Sequence, residues 1–310
     1  MPEPTVKLSP AQLPPAQLPP AKLAILAGGG TLPARIAAAV RGRGQAVFVV
    51  AFDGHTDPAT VEGLPHLWSR FGAAGTILRR LHDEGVGAVV FAGPVRRPSL
   101  GELIPDWRTT RFLARVGTRA LGDDGLLRAV VREVEEDGFR VVGLHELLKD
   151  LLTTAGPVGA RLPDAEAERD IARAVQVARA LGDLDVGQGA VVQQGIVLAV
   201  EAVEGTDAML ARCAGLARPG PGGVLVKVAK PRQDRRIDLP TMGVTTVENA
   251  AAAGLRGIAV EAGGSLLIDR AAVAEAADRL GLFVIGIEAP EKLPPEKLPL
   301  EKLPPEKAGP

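Results

Sequence analysis

The sequence predicts an α/β protein with an N-terminal Rossmann-like parallel-sheet domain, a distinct C-terminal α/β domain and disordered proline-rich tails. Three observations lead to this prediction. Short apolar runs alternate with segments of helical periodicity in the first half, a pattern typical of a parallel sheet covered on both faces. The second half follows a different order of elements. Both ends are five-residue repeats that contain too much proline to build a core.

Composition limits the classes of function. Hydrophobic residues make up 46% of the 310 residues, which is enough for two cores. The net charge of -1 argues against nucleic acid as a partner. Cys213 is the single cysteine, so an intrachain disulfide is excluded and a reducing cytoplasm is expected; we interpret this residue as a small buried hydrophobe. No run approaches the roughly 18 apolar residues of a membrane span, and the N-terminus lacks the pattern of a signal peptide.

Changes in composition divide the chain. We assign residues 1–21 and 289–310 to disordered tails, 22–152 to the N-terminal domain, 153–163 to a linker and 164–288 to the C-terminal α/β domain. In the first half, the patterns predict strands at 23–27, 46–52, 87–92 and 139–143 and helices at 32–43, 76–83 and 126–136. In the second half they predict helices at 164–181, 207–217, 245–253 and 270–280, a hairpin at 190–203, and strands at 224–229, 257–261 and 283–287.

A glycine-rich turn follows the first predicted strand. Gly28, Gly29 and Gly30 precede Thr31 at the start of a helix, where backbone N–H groups can approach a phosphate. The dinucleotide fingerprint needs a glycine where Pro33 stands, so an NAD-dependent oxidoreductase is kept only as an alternative. A tight turn without a ligand is the structural alternative.

A second loop carries candidate ligand contacts. Gly93, Pro94 and Val95 lead into Arg96 and Arg97 after the third predicted strand, where open α/β sheets bind ligands and arginines can clamp a phosphate. A solvated loop is the alternative interpretation there.

A pair of aspartates precedes a predicted helix. Asp123 and Asp124 fit either an N-cap or contacts to a Mg²⁺ ion, and their spacing leaves both open.

The charged loop at 227–240 is the richest segment. Five cations and two carboxylates lie within twelve residues, between a predicted strand and a predicted helix. Cations offset phosphate charge in a transition state, and carboxylates hold Mg²⁺ together with substrate phosphates. A merely solvated charge run fits poorly between two apolar elements. The charged residues are Lys227, Lys230, Arg232, Asp234, Arg235, Arg236 and Asp238.

Further acidic residues lie near strand ends. Glu201 interrupts an apolar strand, which is costly unless its carboxylate is paired or exposed, and Thr206 is a candidate N-cap for the next helix, ahead of Asp207. Glu261 ends a predicted strand before a glycine turn. Together these acids suggest a single cleft.

Long segments of the chain resemble one known family. These are AGGGTLP (27–33), GPVRRP (93–98), GDDGLLRAV (122–130), the segment 184–210, the segment 227–264 and GLFVIGI (281–287). In this order they resemble the LpxI-type UDP-2,3-diacylglucosamine pyrophosphatases, from about residue 22 to residue 288. Neither tail takes part in the resemblance.

The resemblance implies both fold and activity. It implies a Rossmann-like domain, a C-terminal domain of distinct fold and a substrate cavity between them. It also implies Mg²⁺-dependent hydrolysis, with Mn²⁺ as an alternative metal. Water attacks the α-phosphorus of UDP-2,3-diacylglucosamine and yields UMP and 2,3-diacylglucosamine 1-phosphate (lipid X), a lipid A precursor.

The resemblance also implies site residues. The family's essential aspartate falls on Asp234 or Asp238, and we expect both to serve metal binding or water activation. The residues expected to contact substrate are Gly28, Gly29, Gly30, Thr31, Gly93, Pro94, Val95, Arg97, Asp123, Asp124, Glu201, Thr206, Asp207, Lys227, Lys230, Gln233, Arg235, Arg236 and Glu261.

Two positions depart from the family pattern. Gln194 stands where an aspartate is expected in a hairpin turn, and Arg232 stands where a glycine is expected beside the catalytic loop. Neither departure removes a residue assigned to chemistry.

The resemblance also bears on partners and location. We expect a lipid-linked UDP-sugar substrate, a cytoplasmic location and transient contact with the inner-membrane surface as a peripheral protein. A homodimer is left open. A lipid or nucleotide-sugar binding module without catalysis is the second alternative to the hydrolase.

Overall fold

The computed structural model describes residues 22–95, 105–116, 123–231, 234–237 and 239–289. The predicted tails lie outside the described residues, apart from Ala289. The chain divides into two compact units, and the described part of unit 1 consists of residues 22–95, 105–116, 123–150 and 234–237. Unit 2 contains the rest. Within the described residues, no helix is both long and apolar enough to cross a membrane.

Unit 1 alternates strands and helices. Its three longest strands are largely apolar, and in one of them, VFVVAF, every residue is buried. Its elements are β1 (Lys22–Ala27), α1 (Leu32–Gly42), β2 (Val47–Phe52), β3 (His66–Ser69), α2 (Ala74–Asp83), β4 (Val86–Ala92), α3 (Trp107–Val116), α4 (Asp123–Glu136), β5 (Arg140–Val141) and α5 (Leu144–Leu147).

The sheet of unit 1 is parallel. Its strand order is β3-β2-β1-β4-β5, and each neighbouring pair is parallel. This is the doubly wound order, in which the direction of strand addition reverses between β1 and β4, and ligands of such sheets bind beyond the carboxyl ends of these strands. The Rossmann-like prediction for the first half is confirmed.

Unit 2 has a different architecture. Its elements are β6 (Gly156–Pro157), α6 (Ala165–Asp183), β7 (Gly189–Gln193), β8 (Ile196–Val200), α7 (Gly205–Cys213), β9 (Val224–Lys227), β10 (Thr241–Met242), α8 (Val244–Ala252), β11 (Gly257–Glu261), β12 (Leu266–Leu267), α9 (Arg270–Leu280) and β13 (Phe283–Ile287).

A six-stranded mixed sheet forms the centre of unit 2. Its order is β6-β13-β11-β9-β7-β8, where β13, β11 and β9 are parallel and the remaining pairs are antiparallel. One face packs on α6, whose buried residues Ile171, Ala174, Val175 and Ala178 lie on the predicted side. The opposite face packs on α7, α8 and α9. A second α/β domain of distinct fold is thereby confirmed.

Several elements differ from the sequence predictions. The patterns missed β3, an edge strand with exposed His66 and Trp68, and α3, in which Thr109 is the buried residue. The strand predicted at 224–229 ends at Lys227. Thr206 is not the N-cap that the sequence predicted. The helix α7 begins at Gly205, two residues before the predicted start, so Thr206 lies in its first turn and its hydroxyl donates to Glu201.

The burial of Cys213 gives a direct test of the unit 2 core. This side chain is fully buried between the sheet and its helices, and burial raises the pKa of its thiol. Since the thiolate is the reactive form, we expect native protein to be inert toward a disulfide reagent such as DTNB at neutral pH. The thiol should react fully in denaturant. Rapid reaction of the native protein would contradict the burial of Cys213 in the unit 2 core.

Candidate active site

Two loops predicted to contact substrate meet at the carboxyl edge of the unit 1 sheet. The Gly28 amide donates to the carbonyl of Ala92 at 2.7 Å, and the Gly29 amide donates to that of Pro94 at 2.8 Å. A Cβ on Gly28 would lie 2.5 Å from the Pro94 oxygen, and one on Gly93 would lie 2.2 Å from the Gly29 oxygen. The approach therefore requires glycine on both sides, at the point where the strand order reverses.

This contact assigns separate tasks to the glycines of the first loop. The amides of Gly28 and Gly29 hold the two loops together, so they do not point at a ligand. Gly30 and Thr31 are exposed and lead into the N-terminus of α1. A helix N-terminus favours an anion, so these two residues stay the predicted phosphate contacts of this loop.

Residues 234–237 pack on unit 1, although they lie far along the chain from the rest of it. Ile237 packs against the unit 1 core cluster that includes Val131 and Phe139. The Cα of Arg236 would lie 3.2 Å from a Cβ on Gly143, which follows β5. This segment therefore lies at the same carboxyl edge of the sheet as the two glycine loops.

The Asp234 carboxylate is held from within its own turn. Its Oδ1 accepts hydrogen bonds from the Arg236 amide and Nε at 3.1 and 3.0 Å, and its Oδ2 accepts one from Arg236 Nη2 at 2.7 Å. Arg236 Nη1 also donates to Glu135 at the end of α4, at 2.6 Å. The hydrogen bonds from Arg236 lower the pKa of Asp234 and outweigh partial burial, so this carboxylate is ionised at neutral pH.

His145 is a site candidate that the sequence reasoning missed. A Cβ on Gly143 would lie 2.7 Å from His145 Nδ1, so the imidazole lies beside the glycine that contacts Arg236. Among the described residues, this Nδ1 is buried without a hydrogen-bond partner. Its proximity to the Asp234 turn is a tertiary contact that no local motif reveals.

A buried ion pair closes the carboxyl edge of the parallel strands in unit 2. Arg179 of α6 and Glu261 at the end of β11 are 3.1 Å apart, with side chains 5% and 6% exposed. Glu261 Oε2 accepts the Ala229 amide at 2.7 Å, and Arg179 donates to the carbonyls of Ala229 and Ala289. The pair thus joins the ends of β9, β11 and β13. We call these two residues the strand-end clamp.

The clamp changes the interpretation of Glu261. The sequence predicted a substrate contact, and the structure shows a buried carboxylate engaged with Arg179 and the backbone. A contact to substrate stays a prediction for this residue. Arg179 was missed, because an arginine in an amphipathic helix ordinarily signals an exposed face.

Lys227 and Glu201 are buried charges on one face of the unit 2 sheet. Lys227 ends β9, is 4% exposed and donates to the Thr241 carbonyl at 3.2 Å. Its partner across the sheet is Gly189, whose carbonyl accepts the Glu201 amide. Glu201 accepts the Thr206 hydroxyl at 2.6 Å, while its Oε2 has no hydrogen-bond partner among the described residues. The structure thereby brings together three predicted site residues: Lys227, Glu201 and Thr206.

The structure also places other residues that the sequence analysis singled out, in both units. Lys230 forms a 2.8 Å ion pair with Asp185, and Asp207 accepts a 2.9 Å hydrogen bond from Asn249. Arg235 is exposed on unit 1, next to Arg236. Gln194 occupies the turn between β7 and β8 with a φ of 53°, and its side-chain amide donates to the Pro219 carbonyl at 3.2 Å.

Some predicted residues lie outside the described parts of the chain. These are Arg96, Arg97, Arg232, Gln233 and Asp238, together with the side chains of Asp123 and Asp124 at the start of α4. Among the described residues, no group of three or more His, Cys, Asp or Glu side chains could hold a metal ion.

The fold and the charged loop define a two-domain α/β protein with candidate phosphate-binding loops. The model of the LpxI N-terminal domain matches residues 22–151, and that of the LpxI C-terminal domain matches residues 154–285. A protein from Caulobacter vibrioides named UDP-2,3-diacylglucosamine pyrophosphatase LpxI is 45% identical over 278 residues, covering 87% of this chain and 99% of the relative. The chain belongs to the LpxI family, as the resemblance predicted.

The strand-end clamp should be essential for the stability of unit 2. Removing one partner of a buried ion pair leaves the other charge buried without a partner. We therefore expect Arg179→Ala and Glu261→Ala each to lower the free energy of unfolding by about 3–5 kcal/mol. Glu261→Gln keeps an oxygen for the Ala229 amide and should cost less. Urea denaturation followed by circular dichroism measures these changes.

A matched control is the exposed ion pair of Arg279 and Glu248, whose side chains are 60% and 52% exposed. Arg279→Ala should change the free energy of unfolding by less than about 1 kcal/mol. Equal, small effects in the clamp and control variants would contradict a stabilising role for the clamp.

Proposed function

We propose that this chain hydrolyses UDP-2,3-diacylglucosamine at the α-phosphorus and releases UMP and 2,3-diacylglucosamine 1-phosphate. The observation that carries the proposal is the 45% identity to a pyrophosphatase of that name across 87% of the chain. Matches to both family domains support it. The doubly wound sheet of unit 1 supports it as well, since its glycine loops meet where such sheets bind phosphorylated ligands.

The charged loop supplies the chemistry that this reaction needs. A diphosphate gains negative charge as water attacks, and positioned cations offset that charge in the transition state. Arg236 lies beside an ionised Asp234, and Arg235 is exposed next to it. In our proposal these arginines contact the diphosphate, while the Asp234 carboxylate orients the attacking water or a metal ion.

The residues present fit Mg²⁺ bound jointly with substrate, with Mn²⁺ as an alternative. Mg²⁺ is commonly held by one or two carboxylates plus substrate phosphates, so it does not require a preformed group of three protein ligands. Asp234 is one such carboxylate, and we propose Asp238 as the second. When bound, the metal would offset charge on the diphosphate oxygens.

The proposed substrate also bears on partners and location. A nucleotide sugar with two acyl chains is held in a membrane, so we propose a cytoplasmic protein in transient contact with the inner-membrane surface. A homodimer is left open.

Two alternatives to the hydrolase can be separated by experiment. Family membership disfavours the NAD-dependent oxidoreductase, and a nicotinamide fluorescence titration would detect it. A non-catalytic lipid or nucleotide-sugar binding module would bind the substrate without metal-dependent release of UMP.

The central test of the function is UMP release from UDP-2,3-diacylglucosamine in detergent. We expect release with Mg²⁺, loss of release in EDTA, and recovery with excess Mg²⁺.

Asp234→Ala and Asp238→Ala should lower turnover by roughly 10³-fold or more while substrate binding survives, because each removes charge used in the transition state rather than in binding. Wild-type rates in both variants would refute their assignment, and folded protein without release would favour the binding module.

The bond between Arg236 and Asp234 predicts competition with a metal ion. The guanidinium occupies both oxygens of the carboxylate, so Arg236→Gln should expose Asp234 to a cation. We expect Mn²⁺ to bind the free variant about tenfold more tightly, as hydrogen bonds to charged groups contribute about 1.5 kcal/mol. Electron paramagnetic resonance of free Mn²⁺ measures this affinity without an activity assay.

Glu135→Gln is the matched control for that experiment. It removes the other carboxylate partner of Arg236 and leaves the bond to Asp234 in place. Mn²⁺ affinity should stay within about twofold of wild type, since this change removes only a partly exposed ion pair that does not involve Asp234. Equal Mn²⁺ affinity in the wild type and in the Arg236 variant would contradict the competition.

A further inference from the structure

The most exposed tryptophan of the chain lies on a short helix of unit 1. Trp107, the first residue of α3, is 80% exposed, whereas Trp68, the second of the two tryptophans, is 37% exposed. Large aromatic side chains usually bury most of their surface, so an exposed indole in a well-formed helix indicates a surface that contacts something. The exposed residues of α3 are Trp107, Thr110, Arg111, Leu113, Ala114 and Arg115.

Polar contacts of other residues hold α3 in place, so the helix does not depend on Trp107 or Arg111 for its position. Asp106 accepts the amides of Thr109 and Gly75 at 2.8 and 2.7 Å, which fixes the start of the helix against α2. Arg108 and Arg115 each pair with Glu133 of α4. Trp107 and Arg111 themselves take no part in these contacts.

The exposed side of α3 combines apolar and basic residues. Residues 105–116 contain three arginines and one aspartate, in a chain of net charge -1. Arg111 is exposed and forms no ion pair with another described residue, and the Arg115 side chain is 50% exposed despite its ion pairs. Tryptophan and leucine beside arginine is the composition of helices that lie in the interface of an anionic bilayer.

We propose that the exposed side of α3, centred on Trp107 and Arg111, docks on the surface of an anionic phospholipid bilayer. The indole inserts at the level of the headgroups, and the arginine contacts lipid phosphates. This inference rests on the proposed function, because the diacylated substrate is held in such a bilayer. It adds the surface that makes the contact, which the family assignment does not provide.

The size of the surface favours a bilayer over a second copy of the chain. A helix of ten residues is about 15 Å long and cannot by itself provide the roughly 800 Å² per partner of a stable protein interface. A bilayer needs only one inserted aromatic residue and a few cations for reversible contact.

The two tryptophans permit a sharp experiment. Trp68→Phe leaves Trp107 as the single fluorophore, and Trp107→Phe leaves Trp68. Both full-length variants are mixed with vesicles of phosphatidylcholine and phosphatidylglycerol whose acyl chains carry bromine, a quencher at short range. We expect strong quenching of Trp107 fluorescence and little quenching of Trp68 fluorescence. On vesicles of pure phosphatidylcholine, we expect no quenching of either tryptophan.

Vesicle sedimentation tests the charge of the same surface. Arg111→Gln should lower binding to anionic vesicles about fivefold, since a basic residue near such a surface contributes about that factor. Arg279→Gln is the matched control, because it removes one positive charge from a 60% exposed side chain of α9 and should leave binding unchanged. Equal losses in both variants, unquenched Trp107, or a Trp107-dependent dimer without vesicle binding would each overturn the proposal.

The assay format separates this inference from the proposed function. Hydrolysis of substrate dispersed in detergent needs no bilayer, so Trp107→Ser should retain wild-type turnover there. With substrate in anionic vesicles, the same variant should lose activity at least about tenfold, because an inserted tryptophan contributes to binding at least the roughly 1.4 kcal/mol that corresponds to this factor. Loss of activity in both formats would overturn the docking role, whereas an inactive wild type would refute the hydrolase alone.

Discussion

The buried ion pair of Arg179 and Glu261 is the constraint on which the rest of unit 2 depends. Placing two charges where their side chains are 5% and 6% exposed is costly unless their hydrogen-bonding groups are used. Here both charges also bind the backbone of Ala229, and Arg179 reaches Ala289 as well. The pair therefore fixes the ends of three parallel strands and the point where the chain leaves β9. Lys230 follows Ala229 directly. The backbone position at which the charged loop leaves the sheet is therefore fixed by contacts in the core and not by the loop itself.

The charged loop is then held at separate points. Lys230 is tied to Asp185 in unit 2, while Ile237 and Arg236 bind the core and α4 of unit 1. The position of Asp234 thus follows from contacts within unit 1, and that of Lys230 from contacts within unit 2. Among the described residues of the loop, Asp234 pairs with Arg236, and Arg236 also pairs with Glu135. Such pairing keeps the charged side chains in defined positions. A ligand that binds there must therefore replace one partner of an existing ion pair.

The sequence predicted regular elements well wherever burial determines the pattern. The strands at 257–261 and 283–287 and the helix at 270–280 have the predicted bounds, because continuous apolar runs and a capping aspartate define them locally. It failed where the local pattern is weak: β3 is an exposed edge strand, and α3 buries little of its own surface. The sequence pattern could not predict which side chains pair, because the partners lie far apart along the chain. Arg236 and Glu135 are 101 residues apart, and Arg179 lies 50 residues from the carbonyl that it binds. The segments of the site were predicted from the family resemblance, whereas the contacts among them became visible only in the structure.

The central claim is that the clamp fixes the backbone at the start of the charged loop. Hydrogen exchange of the Ala229 amide, observed by NMR, tests this claim most directly, because that amide donates to Glu261. The account predicts exchange slowed by a factor of about 10⁴ or more in the wild type, close to the limit set by global unfolding, and much faster exchange in Glu261→Ala. Exchange of the wild-type amide at the rate of an unstructured peptide would contradict the account.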